Sequence, residues 1–377
     1  MSASNSQQRI GIINALRGFA ALVVAWGHFV AGQGKYLGMS GKYGYLGVDI
    51  FFVISGFVIP WSLYRSRYEL RDYPRFLLKR NVRLYPPYLA SIAISILATN
   101  FVLVPVFHIP HMTVTGRDLL LHFAYLNDLA HVPWVNVAYW TLAIEFQWYL
   151  LIGLVLPLLA SRRRLARFAA TSVMVLAYFA FPWDRLVFHF LPVFLIGVFV
   201  FQYRAAVTGL GEMLGLIAVM VFAMLRSSGW LVPLVAVPTG MLIAFPVLQG
   251  RAIHRGPERG PERSLGSTPI RANPARIGGP GGWRDGVADR VGDVSYSLYL
   301  LHLPIGVSVI GCLSHWLPYS GSYIGLLDVV GVAASMWAAW IMYRVIERPS
   351  QQISSAIRFV RRRPELPAQP SLAGAGD

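Results

Sequence analysis

An arginine and a histidine stand eleven residues apart on one apolar stretch, Asn14-Ala15-Leu16-Arg17-Gly18 through Trp26-Gly27-His28. At about 100° per residue, eleven steps return the two side chains to within roughly 20° of one helical face, about 16 Å apart along the axis. A charge in hydrocarbon costs at least about 2.5 kcal/mol, so an ionisable group inside a membrane helix marks function by default. Taken singly, Arg17 could snorkel to the interface and His28 could be a packing residue. Their shared face favours a joint role.

Carboxylates recur at a similar depth. The segment Gly47-Val48-Asp49-Ile50-Phe51 places Asp49 near the level of His28, and Tyr139-Trp140-Thr141-Leu142-Ala143-Ile144-Glu145 places Glu145 about two turns into another helix. A lone buried carboxylate tends to protonate, but one beside an imidazole can orient it and support its charged form. His28 with Glu145 or Asp49 therefore reads as a general base and its orienter. Asp49 also suits a simpler role, satisfying backbone donors at a helix start. A third feature is Phe76-Leu77-Leu78-Lys79-Arg80-Asn81-Val82-Arg83-Leu84-Tyr85-Pro86, with Lys79, Arg80 and Arg83 at the entrance of a helix. Cations on adjacent turns suit a polyphosphate, because a guanidinium matches phosphate oxygens in pairs. Basic residues at a helix entrance can equally be orientation anchors. His302 precedes Pro304, which frees a backbone carbonyl that the histidine or a serine could help satisfy; structural and catalytic roles stay open for it. His108, His111, His122 and His131 lack the cysteine or carboxylate spacing of a metal site, and no metal is expected.

The elements that must carry these groups are membrane helices. A mean hydropathy of +0.53, 55% hydrophobic residues and 13% charged residues describe a polytopic membrane protein. Stretches long enough to span about 30 Å of hydrocarbon fall at 12–32, 45–64, 84–106, 138–160, 166–182, 186–203, 207–226, 229–248, 291–312 and 322–345. The expected fold class is an all-α bundle of about ten transmembrane helices. Residues 1–249 carry the first eight, 250–290 form a Gly/Pro/Arg-rich cytoplasmic linker, 291–347 complete the bundle, and 348–377 are a basic cytoplasmic tail. The linker repeats Gly-Pro-Glu-Arg and reads as a chain unable to bury enough apolar area to order itself. Met1 to Arg9 are polar and lack a cleavable signal pattern, so the first apolar stretch is expected to stay as a helix. The single cysteine, Cys312, excludes an intrachain disulfide.

A net charge of +16 could suggest nucleic acid, but its distribution argues against that. Runs such as Arg162-Arg163-Arg164 and Arg361-Arg362-Arg363 fall in connections on one side. The opposite connections hold only Lys35, Lys42, Arg117, Arg185 and Arg226. Such asymmetry places both termini in the cytoplasm, with anionic lipid as a secondary attraction.

Arg17-x10-His28, the Gly47–Phe57 stretch, Lys79–Pro86, Trp140–Tyr149, Ser295–Pro304 and Glu347-Arg348-Pro349 occur in order from residue 12 to 349. Together they resemble the membrane acyltransferase family 3, integral-membrane O-acyltransferases of bacterial surface glycans and some small glycosylated molecules. The resemblance implies a multi-pass protein of the bacterial inner membrane. Its donor would be cytoplasmic acyl-CoA, usually acetyl-CoA, and its acceptor a hydroxyl of a surface polysaccharide or lipid-linked glycan. It also implies His28 as a catalytic residue and Arg17 with the basic segment as donor contacts. One departure is that the family often has two arginines spaced by three residues, whereas here Lys79 pairs with Arg83 at that interval. Lysine keeps the charge but not the fork.

Ser55 and Tyr149 are further candidates as relay nucleophiles. The competing reading is a transporter or flippase for a lipid-linked glycan, which calls for an internal repeat with broken helices in matching places. Arg17–His28 has no counterpart in the second half of the sequence. The charge asymmetry predicts that a reporter or accessible label near residue 120 lies outside the cell and one near residue 270 inside. The reverse pattern overturns the topology.

Overall fold

In the computed structural model, which describes residues 3–30, 35–245, 286–316 and 323–359, no strand occurs among the described residues. The helices are α1 (Ala3–Val30), α2 (Lys35–Gly41), α3 (Leu46–Arg65), α4 (Tyr73–Ala98), α5 (Val104–Phe107), α6 (Gly116–Ala124), α7 (Trp140–Leu159) and α8 (Arg164–Ala180). They continue as α9 (Val187–Arg204), α10 (Leu210–Ser227), α11 (Leu231–Ala244), α12 (Val287–Asp293), α13 (Ser295–Leu301), α14 (Ser308–Trp316), α15 (Ile324–Met342) and α16 (Arg348–Ala356). Each of the ten expected segments coincides with helix over most of its described residues. Among the described residues, eight helices are long and apolar enough to cross a membrane. The other two, α8 with 17 residues and α11 with 14, fall short of the roughly 20 residues a bilayer core requires. The chain is a polytopic all-α membrane protein.

Helix α9 is the centre of the bundle. Phe194, Leu195, Ile196, Val198, Phe199, Val200 and Phe201 are all fully buried, as expected of a helix that is apolar around its whole circumference. Phe194 stacks between Phe52 of α3 and Trp148 of α7, with ring centroids 4.6 and 4.5 Å away. Apolar burial drives little association in lipid, so close backbone approach through small residues takes over. A Cβ on Gly56 would lie 2.1 Å from the Phe194 carbonyl oxygen, and one on Gly197 would lie 2.2 Å from that of Val53. The same device holds α12 against α1, where a Cβ on Gly292 would meet the Asn14 carbonyl oxygen at 2.2 Å.

Two expectations about the third segment need correction. Helix α4 begins at Tyr73, with a proline in its first turn, rather than near residue 84. Lys79, Arg80 and Arg83 therefore sit two to three turns inside a helix, not at its mouth. Pro86 and Pro87 also lie in the helix interior. The start of α4 and the connection before it are tied to α7 by hydrogen bonds from the Tyr73 and Tyr68 hydroxyls to the Leu150 and Gly153 carbonyls, at 3.1 and 2.7 Å. Residues 348–356, expected as tail, form α16, whose Ser354 donates to the Lys79 carbonyl at 2.8 Å. Helix α12 begins inside the expected linker; the rest of that linker, and the tail beyond 359, lie outside the described residues.

Three turns wind wider than the α-helix, at Thr99–Leu103, His302–Val307 and Tyr343–Glu347. Each lies at a proline, namely Pro105, Pro304 and Pro349. Proline removes a backbone donor and pushes away the carbonyl four residues back, and a helix relieves that crowding by widening. For Pro304 the carbonyl four residues back is Leu300. Its hydrogen bond comes from Asn136 Nδ2 at 3.2 Å, not from a histidine or serine as the sequence suggested.

Replacing Gly197 by leucine should cost roughly 1–3 kcal/mol or more through overpacking, read as a lower unfolding midpoint in detergent. Gly215→Leu on α10, where an added Cβ meets nothing within 4 Å, is the control and should leave the midpoint nearly unchanged.

Candidate active site

Helices α1, α3, α4, α7 and α13, with the wide turn at Tyr343–Glu347, enclose a cavity of about 130 Å³. Its apolar wall comes mainly from α3, including Phe51, Phe52, Val58 and Ile59. Its polar wall is assembled from distant parts of the chain. Arg17 comes from α1, Arg80 and Arg83 from α4, Glu145 and Tyr149 from α7, Tyr296 and Tyr299 from α13, and Glu347 from the wide turn. The structure thus gathers six of the sequence-derived candidates in one place: Arg17, Ser55, Arg80, Arg83, Glu145 and Tyr149.

The charges are arranged unequally. Glu347 is 2% exposed and fully engaged, accepting from Ser297 Oγ at 2.6 Å and from Gln351 Nε2 at 2.9 Å. Glu145 Oε1 accepts from Ser55 Oγ at 2.9 Å and from the Tyr149 hydroxyl at 2.6 Å. Both carboxylates lie within electrostatic reach of Arg17. None of the three arginines forms an ion pair within 4 Å with a described residue. Arg80 instead lies over the rings of Phe76 and Tyr149, 5.6 and 5.5 Å from their centroids. Such stacking holds a guanidinium plane while leaving its donors free. Three cations against two anions leave the cavity short of negative charge.

Lys79 is placed elsewhere. Its ammonium lies 5.7 Å from the Phe359 ring centroid, and it does not line the cavity. Asp49 is 7% exposed in the first turn of α3 and also lies off the cavity.

His28 forms a second centre. Its Nδ1 lies 2.9 Å from the Val24 carbonyl oxygen and 3.3 Å from His302 Nε2. The two rings have centroids 5.0 Å apart. The His28 ring is exposed whereas His302 is fully buried. The sequence reading paired His28 with Glu145 or Asp49; Glu145 is engaged in the cavity, and the side chain beside His28 is His302. Tyr299 touches both centres. It lines the cavity on one side and stands 5.8 Å, centroid to centroid, from His302 on the other. Its hydroxyl donates to the Ala138 carbonyl at 3.0 Å and pairs with Thr141 Oγ1 at 2.6 Å.

Glu347 and His302 are the site groups to which sequence reasoning gave no firm role. Their signal was present in the stretches Ser295–Pro304 and Glu347-Arg348-Pro349, each an ionisable residue within two positions of a proline.

A family profile described as "Acyltransferase domain" matches residues 10–344. The chain belongs to this family, the membrane acyltransferase family 3. It is similar to "Protein 2 in picA locus" of Rhizobium radiobacter, 34% identical over 133 residues that cover 33% of this chain and 65% of that protein. It is also similar to ORF330 of Acidianus two-tailed virus, 33% identical over 143 residues, or 38% of this chain and 40% of that one. The O-acetyltransferase OatA of Staphylococcus aureus (strain NCTC 8325 / PS 47) is 30% identical over 164 residues, 40% of this chain and 25% of OatA. The matched region spans less than two thirds of each relative's length. No solved structure matches the chain.

The unequal placement of the cations predicts an unequal response. With coenzyme A as a polyanionic probe of the cavity, Arg80→Ala or Arg83→Ala should weaken its binding by about 10- to 100-fold, the range for lost hydrogen bonds to charged groups. Lys79→Ala should stay within about twofold. Titration of labelled coenzyme A into purified protein decides between them, and equal losses at all three positions would refute the assignment.

Proposed function

We propose that the chain is an O-acetyltransferase of the bacterial inner membrane. It moves an acetyl group from cytoplasmic acetyl-CoA to a hydroxyl of a surface polysaccharide or lipid-linked glycan outside. The observation that carries this reading is the cavity itself: in a member of an acyltransferase family, three arginines line one space inside the bundle with no ion-pair partner within 4 Å among the described residues. A polyanionic donor supplies the missing negative charge, and forked guanidinium groups suit its phosphates.

The charge asymmetry of the connections puts the arginine-lined end of α1 toward the cytoplasm and His28 toward the outside. The donor enters among Arg17, Arg80 and Arg83 and extends its thioester toward the Tyr299 wall. His28 meets the acceptor. Its Nδ1 is already committed to the Val24 carbonyl, so Nδ1 carries the proton and Nε2 keeps the lone pair. Nε2 removes the acceptor hydroxyl proton as the oxygen attacks the thioester carbonyl. The C–S bond breaks, the imidazolium returns its proton to the sulfur, and the products are an O-acetyl ester and the free thiol. Proton transfer of this kind contributes about 10²- to 10⁴-fold. Bringing the thioester to His28 requires the acyl arm to pass Tyr299. Glu145, bonded to Ser55 and Tyr149, counterbalances the arginines and shapes the cavity rather than serving the imidazole.

Inside-out vesicles supplied with labelled acetyl-CoA test this. His28→Ala should lower acceptor O-acetylation by about 10²-fold or more while donor binding is retained. Normal turnover in His28→Ala removes His28 from the mechanism.

A further inference from the structure

The His28–His302 contact carries more chemistry than a packing interaction. His302 Nδ1 lies 2.7 Å from the Tyr299 carbonyl oxygen. A carbonyl only accepts, so Nδ1 of His302 bears the proton, and its Nε2 offers a lone pair. That lone pair faces His28 Nδ1 at 3.3 Å. His28 Nδ1 is also 2.9 Å from the Val24 carbonyl oxygen, so it too must carry hydrogen. Two backbone carbonyls, one on α1 and one on α13, thus specify a consistent pair. His28 donates from Nδ1 to Val24 and His302 together, and its Nε2 is left as the base on an exposed ring.

His302 is held firmly enough to impose this. Asn136 takes up the carbonyl that Pro304 displaces at Leu300, and Ser335 Oγ reaches the His302 carbonyl at 3.3 Å. Gly306, whose added Cβ would lie 2.1 Å from Phe29 Cζ, allows α1 to close on the wide turn. Tyr299 on the same helix positions His302 and borders the cavity, so the donor and acceptor centres share one rigid mount.

Building on the acyltransferase reading, we propose that His302 is the positioning residue of the transfer, fixing His28 as its Nδ1–H tautomer and accepting that hydrogen bond more strongly as His28 takes the acceptor proton. It fills the role that the sequence suggested for a carboxylate. A neutral acceptor suits a buried place better than a carboxylate, whose charge would need its own partner away from water. No bond to substrate passes through His302. Its effect is on the proton transfer step alone.

The test compares His302→Gln, His302→Asn and His302→Leu in vesicles, measuring donor KM, kcat and bound labelled acetyl-CoA for each. Glutamine reaches the position of the histidine Nε2 and can present its amide oxygen to His28, whereas asparagine stops short and leucine offers no acceptor. His302→Gln should keep kcat within about tenfold of the unmodified protein. His302→Asn and His302→Leu should lose about 10²-fold, with KM for acetyl-CoA unchanged in all three. Wild-type kcat in His302→Leu, or a glutamine variant as slow as leucine while both bind donor normally, overturns the proposal. A variant that also loses donor binding points to a structural role and counts against it. His28→Ala separates the two claims. If it stays fully active, the acyltransfer reading at His28 fails; if it is inactive while His302→Leu turns over normally, only the positioning role fails.

Discussion

The structure is governed by the need to keep three guanidinium groups inside a membrane bundle. On the most lenient scale each would cost about 2.5 kcal/mol in hydrocarbon, and three together would consume most of a typical folding stability of about 5–15 kcal/mol. The chain reduces that cost in ways visible around the cavity. Arg80 rests on the faces of Phe76 and Tyr149. Glu145 and Glu347 bring negative charge within reach without closing onto the arginines, because each carboxylate is already held by hydroxyl or amide donors. A closed ion pair would have neutralised the cations and left nothing for a ligand. Fixing the carboxylates from behind keeps the guanidinium donors available, at an electrostatic cost that a bound anion would relieve.

Proline places the groups that such balancing needs. Glu347 lies in the wide turn just before Pro349, and His302 opens the one containing Pro304. An ordinary α-turn would rotate both side chains by the difference between a four- and a five-residue hydrogen-bonded loop, away from where they point here. The Leu300 carbonyl released by Pro304 is met by Asn136, so the distortion there is sustained inside the bundle. Two of the three irregular turns occur where ionisable side chains are aimed into the bundle.

Much of this was legible in the sequence, and the failures are instructive. Each of the ten apolar stretches corresponds to helix, because hydrophobic length is a direct physical requirement of crossing lipid. Arg17 and Glu145 were identified by type, since a charged residue flanked by apolar ones is costly enough to be informative, and Arg80 and Arg83 as members of a cluster of cations on adjacent turns. The start of α4 was missed because hydropathy reports the part of a helix in lipid, not the polar turns from Tyr73 onward that precede it. Lys79 and Arg80 are neighbours in sequence, yet a step of about 100° sends one into the cavity and the other to Phe359. The partner of His28 could not be read at all. His302 is 274 residues away, and helical spacing carries no information about which helix α1 will touch.

That last contact also bears on how one catalyst can serve two sides of a membrane. Arg17 and His28 share α1 about 16 Å apart, so in the proposed reaction the cation assigned to the donor and the base assigned to the acceptor are fixed relative to each other by a single helix. Tyr299 and His302 repeat the arrangement on the opposing helix, one bordering the cavity and the other bordering the base. Tyr299, which touches both places, is a ring tied through its hydroxyl to Thr141 and Ala138. Two hydrogen bonds at one hydroxyl are far easier to exchange than a helix–helix contact sealed by backbone, such as that at Gly56 and Gly197. Passage of a small acyl group therefore calls for local movement at Tyr299 while the bundle stays assembled, and the rigid α3–α9 crossing is what permits that movement to remain local.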